Sequence, residues 1–167
     1  VKASGTSLGE TLKKKIFVDI NLKYFSESTS LNNFKLNLKN FQTSLRPSIE
    51  TMFHGLIPFK YVLHLHAVEP LSSLVRKEKF ERKIWEKCPN NPIIINYKKP
   101  GEDLAKEIFM KSIKKKFSNL YLLRNHGIII CANKIEEIEK ILNSTIKYFK
   151  KCNSNFYKTK PKNTISV

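Results

Sequence analysis

Most of the chemistry open to this sequence rests on Glu50 and four histidines: His54, His64, His66 and His126. His64 and His66 stand two apart in KYVLHLHA, a run rich in β-branched and aromatic residues that reads as a strand. Residues two apart on a strand point to one side, so the two imidazoles share a face. Two nitrogen donors on a stiff strand make half of a metal site, because a catalytic zinc takes three protein ligands and leaves one position open. His126 is the best third ligand: NLYLLRNH reads as another strand, and Gly127 lets the backbone turn or approach closely just after it. Glu50 is then the nearby acid or base.

The block RPSIETMFHG precedes that strand. Pro47 fixes φ near the helical value at a helix start, and Glu50 and His54 fall one turn apart on one face. His54 reads as a packing or second-layer histidine rather than a ligand. Glu69, just past His66, reads as a cap or surface charge at a strand-to-helix junction.

At 167 residues, with 41% apolar content and a mean hydropathy of −0.36, the chain suits one soluble globular domain. No run approaches the length of a membrane span, and the N-terminus lacks the regions of a secretory signal. The three cysteines, Cys88, Cys131 and Cys152, are odd in number and without ligand-like spacing. They read as reduced thiols of a cytoplasmic protein. A net charge of +17 raises nucleic acid as a partner, but only four of the 31 basic residues are arginine, the side chain that forks onto phosphate and guanine. The lysines are scattered, and LKKKI and IKKKF read as solvated faces. The expectation is therefore no nucleic acid and no membrane, with a basic field that favours an anionic substrate.

The elements that must position these groups alternate in type. IFVDI (residues 16–20) reads as a strand, residues 23–33 as loop, and 34–45 fits neither period. Residues 71–87 read as one helix stopped by Pro89, PIIINY as a buried strand, and the segment after Pro100-Gly101 as an amphipathic helix with acids first and lysines last. GIIICA continues from NHG as a strand, and apolar positions 135, 138, 141, 142, 146 and 149 define one face of a closing helix. Residues 151–167 read as a basic linker or disordered tail. Alternation of this kind predicts an α/β layered domain over residues 1–150, with a central mixed sheet flanked by helices.

KASG at Lys2 to Gly5, PSIE ahead of His54, HLH, and NHG followed by III occur in this order. With these motifs the chain resembles the class II aldolase/adducin family, most closely the aldolase half of bacterial rhamnulose-1-phosphate aldolase/short-chain alcohol dehydrogenase fusions. The resemblance implies a zinc-dependent lyase, with His64, His66 and His126 on the metal and Glu50 catalytic. The reaction it implies is cleavage of a phosphorylated ketose, of the rhamnulose-1-phosphate kind, to dihydroxyacetone phosphate and an aldehyde. Ser4, Gly5 and Ser48 match positions that hold the substrate phosphate in the family. Relatives carry a C-terminal tyrosine for the aldehyde oxygen, for which Tyr157 is the tail candidate here. The resemblance also implies a tetramer. Its alternatives are a sugar-phosphate epimerase or dehydratase, an inactive fragment, or an adducin-like binding module. The family begins with a helix, a GN-containing loop and strands that would precede VKASG, so the expectation is a domain lacking its N-terminal segment.

Overall fold

The computed structural model describes residues 1–21, 23, 25 and 45–159. The loop expected over 23–33, the span 34–45, residues 160–167 and the side chain of Tyr157 lie wholly or largely outside the described residues. In chain order a short 3-10 helix (Leu8–Glu10) leads to α1 (Thr51–Leu56), β1 (Tyr61–Leu65), α2 (Val68–Leu74), α3 (Glu78–Glu86) and β2 (Ile93–Ile95). Then follow α4 (Glu102–Lys115), β3 (Leu120–Leu123), β4 (Gly127–Ala132) and α5 (Ile135–Thr159). The chain divides into two compact units, Val1–Pro58 with Lys98–Phe117, and Phe59–Tyr97 with Ser118–Val167.

In the first unit, α1 packs on α4. Glu102 and Asp103 lie in the first turn of α4 and Lys114 and Lys115 in its last, the charge order a helix dipole favours. The strand expected over 16–20 is instead one antiparallel bridge, Lys2 with Phe17, flanked by bonds from Ala3 N to Ile16 O (2.8 Å) and Val18 N to Val1 O (2.7 Å). The alternation survives, with Ile16 and Val18 buried and Phe17 exposed, but the pairing is too short to make a strand. A second bridge joins Ala3 to Pro47.

The second unit holds a mixed four-stranded sheet in the order β1-β4-β3-β2. β4 pairs antiparallel with both β1 and β3, while β2 runs parallel to β3. The whole of β3 and β4 is buried, as their unbroken apolar runs require of central strands. One face, carrying Leu120, Leu122, Ile128, Ile130 and Ala132, forms a core with Leu74 of α2, Trp85 of α3, and Ile138, Ile141 and Phe149 of α5.

Two expectations change here. The single helix over 71–87 is broken into α2 and α3, with Lys77 in an extended conformation between them. Five residues apart on one helix, Arg76 and Glu81 would point about 140° away from each other. The corner lets Arg76 fold back onto the fully buried Glu81, with Nε to Oε1 at 2.8 Å and Nη2 to Oε2 at 2.9 Å. The five-residue gap between apolar Val75 and Phe80 was the local sign of that break. Residues 151–159, read by composition as the start of a linker, continue α5. Asn153 ties this stretch to α2: its Nδ2 donates to Glu69 O (2.8 Å) and Ser72 Oγ (2.7 Å), and its Oδ1 accepts from Arg76 Nη2 (3.0 Å). These long-range bonds anchor a segment that is locally polar.

Candidate metal centre

The antiparallel register of β1 on β4 decides the geometry. Leu65 pairs with Ile128, so the chain just beyond β1, carrying His66, runs alongside Gly127 at the start of β4. His126, one residue upstream, thereby comes beside the strand that carries His64. A Cβ on Gly127 would collide with Leu65 O and come within 3.1 Å of His66 Cδ2. Glycine here permits the close approach, as the sequence suggested.

His126 does not lie on a strand. β3 stops at Leu123, and Arg124 to His126 form a tight turn with Asn125 at φ 54° and His126 N bonded to Leu123 O (3.2 Å). The expected strand NLYLLRNH is thus four strand residues followed by a turn, because the chain must reverse to enter β4. The three imidazoles nevertheless meet: ring centroids lie 5.0 Å apart for His64 and His66, 4.9 Å for His64 and His126, and 5.1 Å for His66 and His126. One ligating nitrogen from each falls within 4.8 Å of the others.

The donor set fits a divalent cation. His64 Nδ1 lies 3.0 Å from Ile128 O, and a carbonyl can only accept, so the proton is assigned to Nδ1 and the Nε2 lone pair is turned inward. His64 Nε2 is 3.1 Å from His66 Nε2. Two nitrogens at 2.0–2.1 Å from one tetrahedral zinc stand about 3.3 Å apart, so that edge is nearly at coordination spacing. His64 and His126 are half-buried and His66 is exposed, which leaves the centre open to a small ligand. Glu69 is not in this group; it sits in the first turn of α2, where a carboxylate suits the helix dipole.

The remaining expected site residues belong to the first unit. Glu50 is half-buried at the N-cap position of α1 rather than inside a helix begun at Pro47. Pro47 is instead taken up by the bridge to Ala3, so the helix starts four residues later. Ser48 Oγ accepts the Glu50 backbone N–H at 3.3 Å, and Ser48 O accepts that of Thr51 at 3.0 Å. Ser4 and Gly5 form an exposed turn with Gly5 at φ 74°, and Ser4 N bonds Arg46 O at 2.8 Å. The bridge therefore lays the Ser4-Gly5 turn beside the chain leading into Ser48. His54 lies half-buried on α1 with its ring 4.7 Å from that of its neighbour Phe53.

Sequence reasoning missed the residues that hold the His126 turn. Arg124 Nη1 donates to Glu78 Oε2 at 2.8 Å, and its guanidinium lies 5.3 Å from the centre of the Trp85 ring. Arg124 N bonds Ile95 O (3.0 Å), and Asn125 N bonds Leu74 O (3.3 Å). Only the rarity of arginine in a chain with 31 basic residues could have singled Arg124 out.

The sequence comparison agrees with this α/β fold. The chain belongs to the Class II Aldolase and Adducin N-terminal domain family, which matches residues 1–146. A curated relative, the Bacillus subtilis (strain 168) protein named Uncharacterized oxidoreductase YuxG, is 28% identical over 112 residues. That match takes in 60% of this chain and only 16% of the relative. Among solved structures, the N-terminal class II aldolase domain of a conserved Thermoplasma acidophilum protein superposes with a TM-score of 0.71 at 24% identity, covering 90% of this chain and 72% of that one. A sugar-phosphate aldolase from Thermotoga maritima gives 0.56 at 16% identity, over 70% and 57% of the two chains. At these identities the likeness is one of fold. No helix among the described residues is long and apolar enough to cross a membrane.

Proposed function

We propose that this chain is a divalent-metal-dependent aldolase domain that cleaves a phosphorylated ketose of the rhamnulose-1-phosphate kind to dihydroxyacetone phosphate and an aldehyde. The observation that carries this reading is the convergence of His64, His66 and His126, with the His64 tautomer set by Ile128 O. A cation held there, zinc by the family resemblance, would supply Lewis-acid stabilisation of the negative charge that C3–C4 cleavage leaves on the ketose oxygens. Three neutral ligands leave the charge of such an ion undiminished, which carboxylates would not.

Glu50 is assigned the proton at the carbon that was C3: it delivers one there after cleavage and removes one in the condensation direction. Ser48 supports it by accepting the Glu50 N–H, and its own hydroxyl hydrogen remains to donate to a phosphate oxygen. Ser4 and Gly5 complete the phosphate-binding set, their turn held near Ser48 by the Ala3–Pro47 bridge. The high net charge of +17 favours an anionic sugar phosphate over a neutral sugar. Cytoplasmic placement rests on the three free thiols and a tetramer on the family resemblance.

The test is a coupled assay for dihydroxyacetone phosphate release with zinc-loaded protein, its chelator-stripped form and Glu50→Gln. We expect stripping to abolish turnover, and Glu50→Gln to lower it by about 10²- to 10⁴-fold at unchanged metal content. Interconversion of pentulose phosphates without triose release would replace the aldolase assignment with an epimerase. Full turnover by Glu50→Gln would remove the role given to that carboxylate.

A further inference from the structure

Two of the three imidazoles at the centre are fixed by one strand and its immediate end, while the third hangs on a three-residue turn. β1 and its pairing with β4 set the spacing of His64 and His66. His126 has no such ladder, since its own N–H goes to Leu123 O within the turn. A ligand on a turn that is not held in place must be ordered when an ion binds, and the lost freedom weakens binding. Something outside the turn has to remove that freedom beforehand.

The geometry points to Arg124, held by Glu78 and the face of Trp85, as the positioning residue that pre-organises His126 for metal binding; this rests on the metal-centre reading above. Arg124 is two residues from His126 and opens the same turn. Its guanidinium is gripped on an end by Glu78 Oε2 (2.8 Å) and lies over Trp85 (5.3 Å), both residues of α3. That grip is itself braced. Glu78 Oε1 is taken by Arg82 Nη1 (2.7 Å), so each carboxylate oxygen holds a different arginine. Trp85 is fully buried, and its Nε1 donates to Ser73 Oγ (2.9 Å), which in turn donates to the buried Glu81. α3 thus acts as a rigid post to which the turn is tied by a side chain, while Ile95 O and Leu74 O tie it by the backbone.

A second observation separates this role from general stability. The Arg124 and Glu78 side chains are 21% and 36% exposed, so water screens part of their attraction and discounts what the pair adds to folding. The Arg124 Nε–H, moreover, is buried without a hydrogen-bond partner among the described residues. The guanidinium is held instead through Nη1, on Glu78 Oε2, and through its face, over Trp85. Removing the tie should therefore leave a folded protein with a weaker centre.

The experiment is a competition titration of zinc against a chromophoric chelator, with the cobalt(II) absorption spectrum as a second readout of ligand geometry. We expect Arg124→Met and Glu78→Gln each to weaken zinc binding by about 10- to 100-fold, the range for residues that orient a ligand. Thermal midpoints should stay within a few degrees of the parent and the cobalt bands should shift. The double variant should bind no more weakly than the worse single one, because both cut one tie. Arg82→Gln, which removes the other arm of Glu78, should stay within twofold of the parent. Near-parental affinity and an unshifted cobalt spectrum in both Arg124→Met and Glu78→Gln would overturn the inference while leaving the metal centre intact. A parent protein that takes up no zinc would remove the metal centre itself.

Discussion

His64 and His66 hold their Nε2 atoms 3.1 Å apart at the end of β1, with the His64 Nδ1 proton committed to Ile128 O. Under the proposed metal-centre reading, two lone-pair donors this close, joined by His126, would form a site whose affinity depends on all three. Replacing His126 with alanine leaves only the two ligands at the end of β1 and should weaken zinc binding by more than about 100-fold, beyond the cost of losing an orienting partner. Elemental analysis after dialysis should find close to one equivalent of metal in the parent and less than a tenth in the variant.

Gly127→Ala tests the close approach of β4 to the end of β1. The added methyl would collide with Leu65 O and crowd the His66 ring. Backbone can yield only by shifting the strand, so we expect a loss of about 1–3 kcal/mol in urea denaturation, typical of overpacking. The same variant should bind zinc more weakly, because the shift displaces His66.

Glu81 is fully buried and shared by Arg76 and Ser73, and Ser73 also accepts from Trp85 Nε1. Glu81→Ala would strand a guanidinium that is only 15% exposed. Breaking a buried pair by removing one partner costs about 3–5 kcal/mol, and the fall in the urea midpoint should report it. Because the network joins α2, α3 and α5, proteolysis near residues 75–77 should accelerate as well.

Burial pushes the Cys88 and Cys131 thiols up to about 12, with neighbouring Cys152 adding to the effect at Cys88. An unfolded thiol ionises near pH 8.5, so the folded state binds more protons above that pH. This contribution to stability is complete below about pH 8.5 and is lost as pH rises toward 12. The urea midpoint should fall across that window, and the Cys88→Ala/Cys131→Ala protein should show a shallower fall. At pH 8 a thiol reagent should modify half-exposed Cys152 quickly and the other two only on unfolding.

Local rules determined a good part of this molecule. Alternation in KYVLHLH places His64 and His66 on one side because successive strand residues point to opposite faces. The charge order of α4 and the apolar face of α5 follow from helical spacing. The resemblance in the order of KASG, PSIE, HLH and NHG led to a family that matches residues 1–146. Local periodicity carries no information about partners distant in the chain, and the tertiary structure decided what depended on them. Pro47 was free to begin a helix until Ala3 claimed it for a bridge. Residues 71–87 had helical spacing, but Glu81 drew Arg76 back through a corner. Residues 151–159 were polar enough for a linker until Asn153 found Glu69, Ser72 and Arg76. His126 reached the other two imidazoles because β4 pairs antiparallel with β1, a register set by burial across more than sixty residues of intervening chain.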